Sequence, residues 1–329
     1  MGRETIRILL EAEQVSIYWL TSVLGRTVTS FKAETQASNW SSQVPLRVSF
    51  NDGSSQALRL KICLGETFGR SEVDYYKTDY VGLQNAPLVR CYDAQFEHGV
   101  GYHLLLDDLS ETHHNRRDVV PTLDYGLAVA EALGRLQRHH WESEPAPSDA
   151  VWNRYFAEIR PGVGPLEQAT GQEFSERFIA HEKALRTRWA NPHGMSLLHG
   201  DLNTTNILTP QDADYPVYFL DRQPFDWSLT YGLASYDLAY FLVIWWPQEL
   251  RSAHEATILR HWYGALGQPD YSWEQAQSDW ELSVEQCLHV PMEWCSKPKT
   301  AEKMRWLWEI QLARIQSASE SLRERAAQN

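Results

Sequence analysis

A polar loop between two apolar runs carries a carboxylate and an amide side chain at a short, fixed spacing. The stretch from Leu197 to Leu208 contains His199-Gly200-Asp201, and Asn206 follows the aspartate by five positions. A carboxylate can orient an attacking hydroxyl group and accept its proton, and an oxygen ligand nearby can hold Mg²⁺ against phosphates. The spacing therefore predicts Asp201 as a catalytic group of phosphoryl transfer and Asn206 as a metal ligand.

A second carboxylate ends the next apolar run. Val217 to Leu220 reads as a strand, and Asp221 follows it directly, fifteen residues after Asn206. Mg²⁺ prefers one or two carboxylates together with substrate phosphates over a cage made only of protein groups. An aspartate at the end of a strand can equally cap a turn, but its position after the polar loop favours Asp221 as the second metal ligand.

A lone lysine occurs in a strand-like run near the beginning of the chain. Lys61 lies among the apolar residues of Leu58 to Cys63, and Glu72 follows eleven residues later on a predicted helix. A buried lysine is destabilising unless it is paired. A Lys–Glu pair of this kind positions nucleotide phosphates in kinases. The alternative is an edge-strand lysine with a solvated glutamate, and the carboxylate motifs further along favour the pair.

The elements that must position these residues change in type along the chain. Apolar periodicity predicts a first helix over 4–24, which Gly25 ends, and a second over about 69–80. Residues 51–54, Asn-Asp-Gly-Ser, form a hairpin signal. Predicted strands are 28–34, 46–50, 57–64, 88–94 and 101–106. Most of the rest has helical periodicity. The predicted fold is α+β with two lobes, residues 1–107 and 108–329.

These motifs resemble those of the aminoglycoside phosphotransferase and choline kinase superfamily. Residues 199–208 are similar to its catalytic loop, 221–223 to its metal-binding Asp-x-Gln, and 236–242 to its Asp-Leu-Ala helix start. Residues 71–76 and 104–110 resemble the ecdysteroid-kinase-like branch. The resemblance runs from about residue 15 to residue 310. It implies a bilobal protein-kinase-like fold with a small antiparallel-sheet N-lobe and a larger, mostly helical C-lobe.

The resemblance also implies roles for residues outside the three motifs. Relatives cover the phosphates with a Gly-rich segment, whereas residues 36–42 of this chain contain no glycine and offer Ser and Asn donors instead. The roles implied are phosphate binding for Ser41 and Ser42, base binding through backbone groups for Asp107 and Leu109, and support of the catalytic loop for His199 and Asp237.

The acceptor cleft of the family lies in the late helical region. Here that region contains Glu293, Trp294 and Trp308. Aromatic faces beside a carboxylate suit a cationic acceptor, although each Trp taken singly could equally be packed in the core. The identity of the acceptor stays open, because relatives act on aminoglycosides, macrolides, choline and steroids.

Composition excludes some other classes of function. The net charge of −13 gives no electrostatic reason to bind nucleic acid. The four cysteines form no CxxC pair, the N-terminal residues lack the pattern of a signal peptide, and the longest apolar run, 238–246, stops at Pro247. We therefore expect a cytoplasmic protein without a membrane segment. Its oligomeric state cannot be read from the sequence.

Together these features predict a small-molecule kinase. It would transfer the γ-phosphate of ATP or GTP, with Mg²⁺, to a hydroxyl group of a small acceptor, and a cationic acceptor is one option. One alternative is a non-catalytic, nucleotide-binding pseudokinase, against which the full set Lys61, Glu72, Asp201, Asn206 and Asp221 argues. A protein kinase is disfavoured because no activation segment with an Ala-Pro-Glu anchor follows the last of these.

Overall fold

A computed structural model of the chain describes residues 8–34, 36–37, 41–212 and 216–328. Two compact units are present. The first comprises the described residues up to His114 together with Leu208–Asp226, and the second comprises Asn115–Ile207 and Trp227 onwards. Within these described stretches, no helix combines the length and the apolar character needed to cross a bilayer. The predicted α+β bilobal class is confirmed, and the functional division after residue 107 stays a prediction.

The strands form one large sheet and two small ones. They are β1 (Val28–Ala33), β2 (Gln36–Ala37), β3 (Ser42–Phe50), β4 (Ser55–Leu64), β5 (Cys91–Glu97), β6 (Gly101–Asp107), β7 (His113–Asn115), β8 (Met195–Leu197), β9 (Ile207–Pro210), β10 (Tyr218–Phe219) and β11 (Tyr231–Leu233). The large antiparallel sheet has the order β1-β3-β4-β6-β5, with β2 paired to β3. The small sheets are β10-β9-β7 and β11-β8.

Helices account for most of the second unit. They are α1 (Ile17–Leu24), α2 (Ser71–Asp74), α3 (Leu123–His139), α4 (Asp149–Ile159), α5 (Val163–Thr170), α6 (Glu173–Trp189), α7 (Ser235–Ala239), α8 (Gln248–Leu266), α9 (Trp273–Gln286), α10 (His289–Cys295), α11 (Pro298–Lys303) and α12 (Arg305–Gln328). Two π-helical turns, Tyr75–Asp79 and Tyr240–Ile244, directly continue α2 and α7. Short 3₁₀ turns occur at Ala12–Gln14 and Arg160–Gly162.

The large sheet is covered on both faces because its side chains alternate. On β6, Leu105 packs with the cluster that includes Trp19 and Leu20 of α1, whereas Leu104 packs with Phe68 and Val73. Position 61 is two residues from Cys63, which belongs to the second cluster, so Lys61 shares the face that α2 covers. The sheet thus directs the lysine towards the helix that carries Glu72.

The predicted helix over 4–24 is wrong over residues 8–16; residues 4–7 of that range, including Ile6, lie outside the described residues. The helix begins only at Ile17, where the Ser16 hydroxyl caps it by accepting from the Trp19 N–H at 3.1 Å. Before it, the Leu9 N–H donates to Nδ1 of the buried His103 at 2.9 Å. This long-range bond fixes a non-helical path. Gly25 ends the helix with a φ of 65°, as predicted.

In the second unit, a buried glutamine of α3 joins the elements that flank the catalytic loop. The Gln137 Nε2 donates to the Ala234 carbonyl at 2.6 Å, and its Oε1 accepts from the Trp262 indole at 2.7 Å. Its backbone carbonyl accepts from the Ser196 hydroxyl at 2.9 Å. Since Ser196 lies on β8 and Ala234 follows β11, this one side chain and its carbonyl hold both strands against α3 and α8.

Candidate active site

The structure places Lys61 of β4 and Glu72 of α2 in a buried ion pair. The Lys61 Nζ lies 2.8 Å and 2.7 Å from the two carboxylate oxygens of Glu72. Tyr102, which is paired with Cys63 across the β4–β6 ladder, donates its hydroxyl to Glu72 Oε2. Each of the three side chains is less than one-tenth exposed. The tyrosine gives the carboxylate a partner that remains when the lysine engages a ligand.

The same ammonium group also contacts the predicted metal-binding carboxylate. The Lys61 Nζ lies 2.9 Å from Asp221 Oδ1. Burial disfavours the charged lysine, but the Asp221 and Glu72 carboxylates outweigh it and hold the pKa of Lys61 well above its ordinary value. Burial raises the pKa of Glu72 to about 7, and Lys61 opposes this rise. The Lys61 ammonium is thus shared between two carboxylates of the first unit.

Asp221 has an unusual backbone conformation. Its φ of 56° lies in the left-handed region, which a residue other than glycine occupies at a cost of roughly 1–2 kcal/mol. Its side chain is 42% exposed although one oxygen is bonded to Lys61. A strained, partly exposed carboxylate at the end of a strand is the kind of ligand that Mg²⁺ takes up together with phosphates.

The catalytic loop of the second unit leaves β8 and is held by α7. The two carboxylate oxygens of Asp237 accept from the backbone N–H groups of His199, at 2.8 Å, and Gly200, at 2.9 Å. Gly200 has a φ of 77°, a conformation that glycine adopts without strain. The His199 Nδ1 accepts from the Asp201 N–H at 3.3 Å. These contacts are what a supporting role for Asp237 and His199 requires.

Three side chains of the second unit hold the Asp201 carboxylate. Oδ1 accepts from the Tyr240 hydroxyl at 2.7 Å and from Asn203 Nδ2 at 2.9 Å. Oδ2 accepts from Asn206 Nδ2 at 3.0 Å. Hydrogen bonds from several donors fix the orientation of a carboxylate. Asp201 is thus oriented by groups of its own unit.

Asn206 uses its amide nitrogen on the catalytic loop. Nδ2 donates to both the backbone carbonyl and the carboxylate of Asp201, at 2.9 Å and 3.0 Å. This fixes the orientation of the amide and leaves Oδ1, which the Thr205 hydroxyl contacts at 3.3 Å, as the atom able to ligate a cation. An amide oxygen is a hard donor of the type that Mg²⁺ accepts.

In the described stretches, no cluster of three or more His, Cys, Asp or Glu side chains could hold a metal ion by itself. Mg²⁺ commonly takes one or two carboxylates together with phosphates and water, and the role of Asp221 as such a ligand stays a prediction.

The residues predicted to contact the acceptor occupy different environments. Glu293 of α10 is partly exposed, and no described side chain donates a hydrogen bond to its carboxylate. Burial raises the pKa of Glu293 to about 7, and the negative charge of Asp201 adds to the rise. Trp294 is partly exposed, whereas Trp308 is buried and its indole donates to the Ala301 carbonyl at 2.9 Å. The geometry gives Trp308 a packing contact, and its role in acceptor binding stays a prediction.

The predicted nucleotide contacts at the hinge and the phosphate segment lie in the first unit. The Leu109 carbonyl accepts from the His113 N–H at 2.8 Å, so its own N–H is the group to expect against a base. The Asp107 carboxylate accepts from Tyr92 and Gln56, both at 2.8 Å. Gln36–Ala37 pairs with β3, and Ser42, the first residue of β3, lies opposite Ala37. Residues 38–40 of the predicted phosphate segment lie outside the described residues. Ser41 accepts from Gln43 at 3.0 Å.

Three residues of these clusters were not predicted: Tyr102, Asn203 and Tyr240. A signal existed for Tyr240, because it follows Asp237 by three positions and therefore shares its helical face. Asn203 lies inside the predicted catalytic motif. No local signal identifies Tyr102, because its partner Glu72 lies 30 positions earlier in the chain.

Comparison with solved structures defines the class. The fold is that of small-molecule kinases: a Thermobifida fusca YX-ER1 protein described as a candidate fructosamine-3-kinase aligns with a TM-score of 0.56 at 16% identity, over 93% of this chain and all of that one. An aminoglycoside-3'-phosphotransferase of type VIII aligns with a TM-score of 0.50 at 19% identity, over 78% of this chain and 94% of that one. A thermostable mutant of aminoglycoside phosphotransferase APH(4)-Ia, solved with AMP-PNP and hygromycin B, aligns with a TM-score of 0.50 at 12% identity, over 92% of this chain and 97% of that one.

Within this class, the sequence match is more specific. The family model of the ecdysteroid kinase-like family matches residues 164–269. None of the curated protein sequences compared with the chain matches it. The resemblance predicted from the motifs, to the aminoglycoside phosphotransferase superfamily and its ecdysteroid-kinase-like branch, is confirmed.

Proposed function

We propose that this protein is a phosphotransferase that moves the γ-phosphoryl group of a Mg²⁺–nucleotide to a hydroxyl group of a small molecule. The observation that carries the proposal is the Asp201 carboxylate, which three donors of its own unit orient in a loop pinned by Asp237. Such a carboxylate is prepared to accept a hydrogen bond from an incoming hydroxyl group. The kinase fold supports this assignment.

In the proposed reaction, Asp201 accepts a hydrogen bond from the acceptor hydroxyl and takes its proton as the new oxygen–phosphorus bond forms. The bond between the γ-phosphorus and the bridging oxygen breaks, and the nucleoside diphosphate leaves with that electron pair. Lys61 neutralises charge on the phosphates, and Glu72 fixes the lysine. Bound Mg²⁺ would supply charge neutralisation, with Asp221 as its carboxylate ligand. Asn206, the other predicted ligand, stays assigned on sequence grounds.

Nucleotide binding should redistribute the contacts of Lys61. In the structure the ammonium lies within 2.9 Å of both Glu72 and Asp221. Phosphate oxygens would take the place of Asp221 on Lys61, which would release that carboxylate to a cation. Glu72 would stay in place because Tyr102 also holds it. This exchange predicts that nucleotide and Mg²⁺ bind with positive cooperativity.

For the acceptor, we infer a small hydroxylated molecule for which a positive charge is favourable. Glu293 has no hydrogen-bond donor among the described side chains, and it interacts electrostatically with Asp201. Burial raises the pKa values of Tyr155, Tyr236 and Tyr240, and the charge of Glu293 adds to the rise in each. A protonated amine placed there would offset the repulsion between two carboxylates. ATP and GTP remain equal candidates as donor.

The decisive experiment compares wild type with Asp201→Asn. Release of ADP or GDP is followed across a panel of amino alcohols, sugars and hydroxylated antibiotics. Asp201→Asn should reduce turnover by about two to four powers of ten and leave nucleotide affinity nearly unchanged. Asp118→Asn, an exposed aspartate of the same unit, is the control and should behave as wild type. Unchanged transfer by Asp201→Asn would refute the role of this carboxylate.

A non-catalytic nucleotide-binding module is the second candidate, and the glycine-free segment 36–42 is the observation that favours it. In that case nucleotide would bind, but no acceptor in the panel would be phosphorylated. Binding should still depend on Mg²⁺ and be weakened by Asp221→Ala. Turnover with any acceptor above the Asp201→Asn background excludes this candidate.

A further inference from the structure

Within the first unit, the segment that follows the Asp221 carboxylate is joined to the segment that carries Glu72. The two segments are 221–226 and 67–79. The Gly69 N–H donates to the Pro224 carbonyl at 2.7 Å, and the Asp226 N–H donates to the Thr67 carbonyl at 3.1 Å. The Ser71 hydroxyl donates to the Gln223 carbonyl at 2.6 Å. The rings of Phe68 and Phe225 stack with their centroids 5.8 Å apart. The connection is continuous and uses mainly backbone groups.

Arg222 adds the charged contact of this connection. Its guanidinium is 2% exposed, and Nη1 lies 2.5 Å from Asp79 Oδ2, the last residue of the π-helical turn after α2. The same nitrogen lies 3.4 Å from the Ser71 carbonyl, and the guanidinium lies 5.7 Å from the Tyr75 ring centroid. A buried guanidinium is retained only when its partners are well placed. Arg222 therefore contacts both ends of the helical segment around Glu72.

Because Arg222 directly follows Asp221, its ion pair with Asp79 also affects the position of the Asp221 carboxylate. Asp221 holds a left-handed backbone conformation, which persists only where neighbouring contacts over-determine it. The adjacent residue is anchored by a buried ion pair, and Gln223 and Pro224 are anchored by hydrogen bonds. Loss of the ion pair would free the turn to relax and move the carboxylate.

We propose that Arg222 is a positioning residue, which through its ion pair with Asp79 holds the Asp221 carboxylate in its metal-binding position and ties it to the helical segment of Glu72. The inference rests on the proposed function, because it assigns Asp221 to the Mg²⁺ of the nucleotide. It adds that Lys61, Glu72 and Asp221 are held together as one preassembled cluster. The helical segment cannot move away from Lys61 without breaking a buried ion pair.

The test is isothermal calorimetry of AMP-PNP and GMP-PNP at a series of Mg²⁺ concentrations. Asp79→Asn removes the charge of the partner and keeps its shape. We expect it to raise the Mg²⁺ concentration that gives half of the gain in affinity by about tenfold, within the range of coupling between groups of one network. Nucleotide affinity without Mg²⁺ should change less than about twofold.

Further variants separate positioning from general destabilisation. Asp79→Glu keeps the charge and should restore most of the Mg²⁺ dependence. Asp79→Ser, which also removes the charge, takes the place of Asp79→Asn if that variant does not fold. Arg70→Met is the matched control: it removes an exposed ion pair with Asp74, at 2.8 Å, on the same helical segment. The control should leave the Mg²⁺ dependence unchanged.

The outcomes distinguish this inference from the proposed function. A folded Asp79→Asn or Asp79→Ser variant with lower thermal stability but the wild-type Mg²⁺ dependence would give Arg222 a merely structural role and overturn the inference, with the proposed function intact. If wild type binds both nucleotides without any dependence on Mg²⁺, the metal role of Asp221 fails, and the inference fails with it.

Discussion

Glu293 provides a prediction that can be tested without knowledge of the acceptor. The pKa of this carboxyl rises from an ordinary value of 4.5 to about 7, through burial and the charge of Asp201. The folded protein therefore holds a proton on Glu293 between pH 4.5 and 7 that the unfolded chain releases. The contribution of Glu293 to stability accordingly falls as the pH rises through that window.

Replacing Glu293 with Gln removes the titration and keeps the shape. With folded and unfolded pKa values of about 7 and 4.5, proton linkage gives a penalty in wild type of about 1 kcal/mol at pH 5 and about 3 kcal/mol at pH 8. Glu293→Gln should escape this penalty. Its advantage in free energy of unfolding should therefore grow by about 2 kcal/mol between the two pH values.

The assay is urea unfolding followed by tryptophan fluorescence at pH 5, 6.5 and 8, with wild type and variant measured side by side. Because the protein has two compact units, the comparison uses the transition that Glu293→Gln shifts. Glu281→Gln, which alters an exposed carboxylate on α9, should show no such trend. A stability difference for Glu293→Gln that is the same at pH 5 and pH 8 would refute the reasoning.

Two other substitutions test the catalytic loop. Tyr240→Phe removes the hydroxyl that donates to Asp201 at 2.7 Å and keeps the ring. Turnover should fall about tenfold with nucleotide affinity unchanged, since one charge-assisted hydrogen bond contributes about 1.5–3 kcal/mol. The measurement is steady-state kinetics on the best acceptor of the panel, and a wild-type rate would contradict the prediction. Gly200→Ala places an alanine where the backbone has a φ of 77°, which should lower the free energy of unfolding by about 1–2 kcal/mol. A variant as stable as wild type in thermal melts would show that the loop relaxes freely.

The candidate catalytic and metal-binding residues could be proposed from the sequence because their motifs are local, and these roles stay predictions. Asp201 and Asn206 lie within one short loop, and the hydrogen bonds between them follow from a five-residue spacing. The Lys61–Glu72 contact could be predicted because strand alternation and one following helix leave a buried lysine few other partners. In each case the interacting residues lie within one secondary-structure element or loop, or within two that are adjacent in sequence, so a local pattern is enough to predict the contact.

Features that depend on distant residues could not be predicted in this way. The first helix was placed too early because apolar periodicity says nothing of the bond between Leu9 and His103, which lie 94 positions apart. The burial of Arg222 depends on Asp79, 143 residues earlier in the chain. A charged residue in a polar motif looks solvated in sequence, and only the tertiary structure reveals its partner.

The division of the chain also constrains how the protein is made. Asp221, the partner of Lys61, belongs to the first unit, but it is synthesised more than ninety residues after His114, where the first stretch of that unit ends. On the ribosome, the sheet must wait for the segment Leu208–Asp226, and until then the Lys61–Glu72 pair lacks the contact with Asp221. A fragment that ends near residue 114 would therefore expose the surface that this segment covers. Productive folding of the first unit has to follow translation of a large part of the second, so slow synthesis between residues 115 and 207 would prolong an aggregation-prone state.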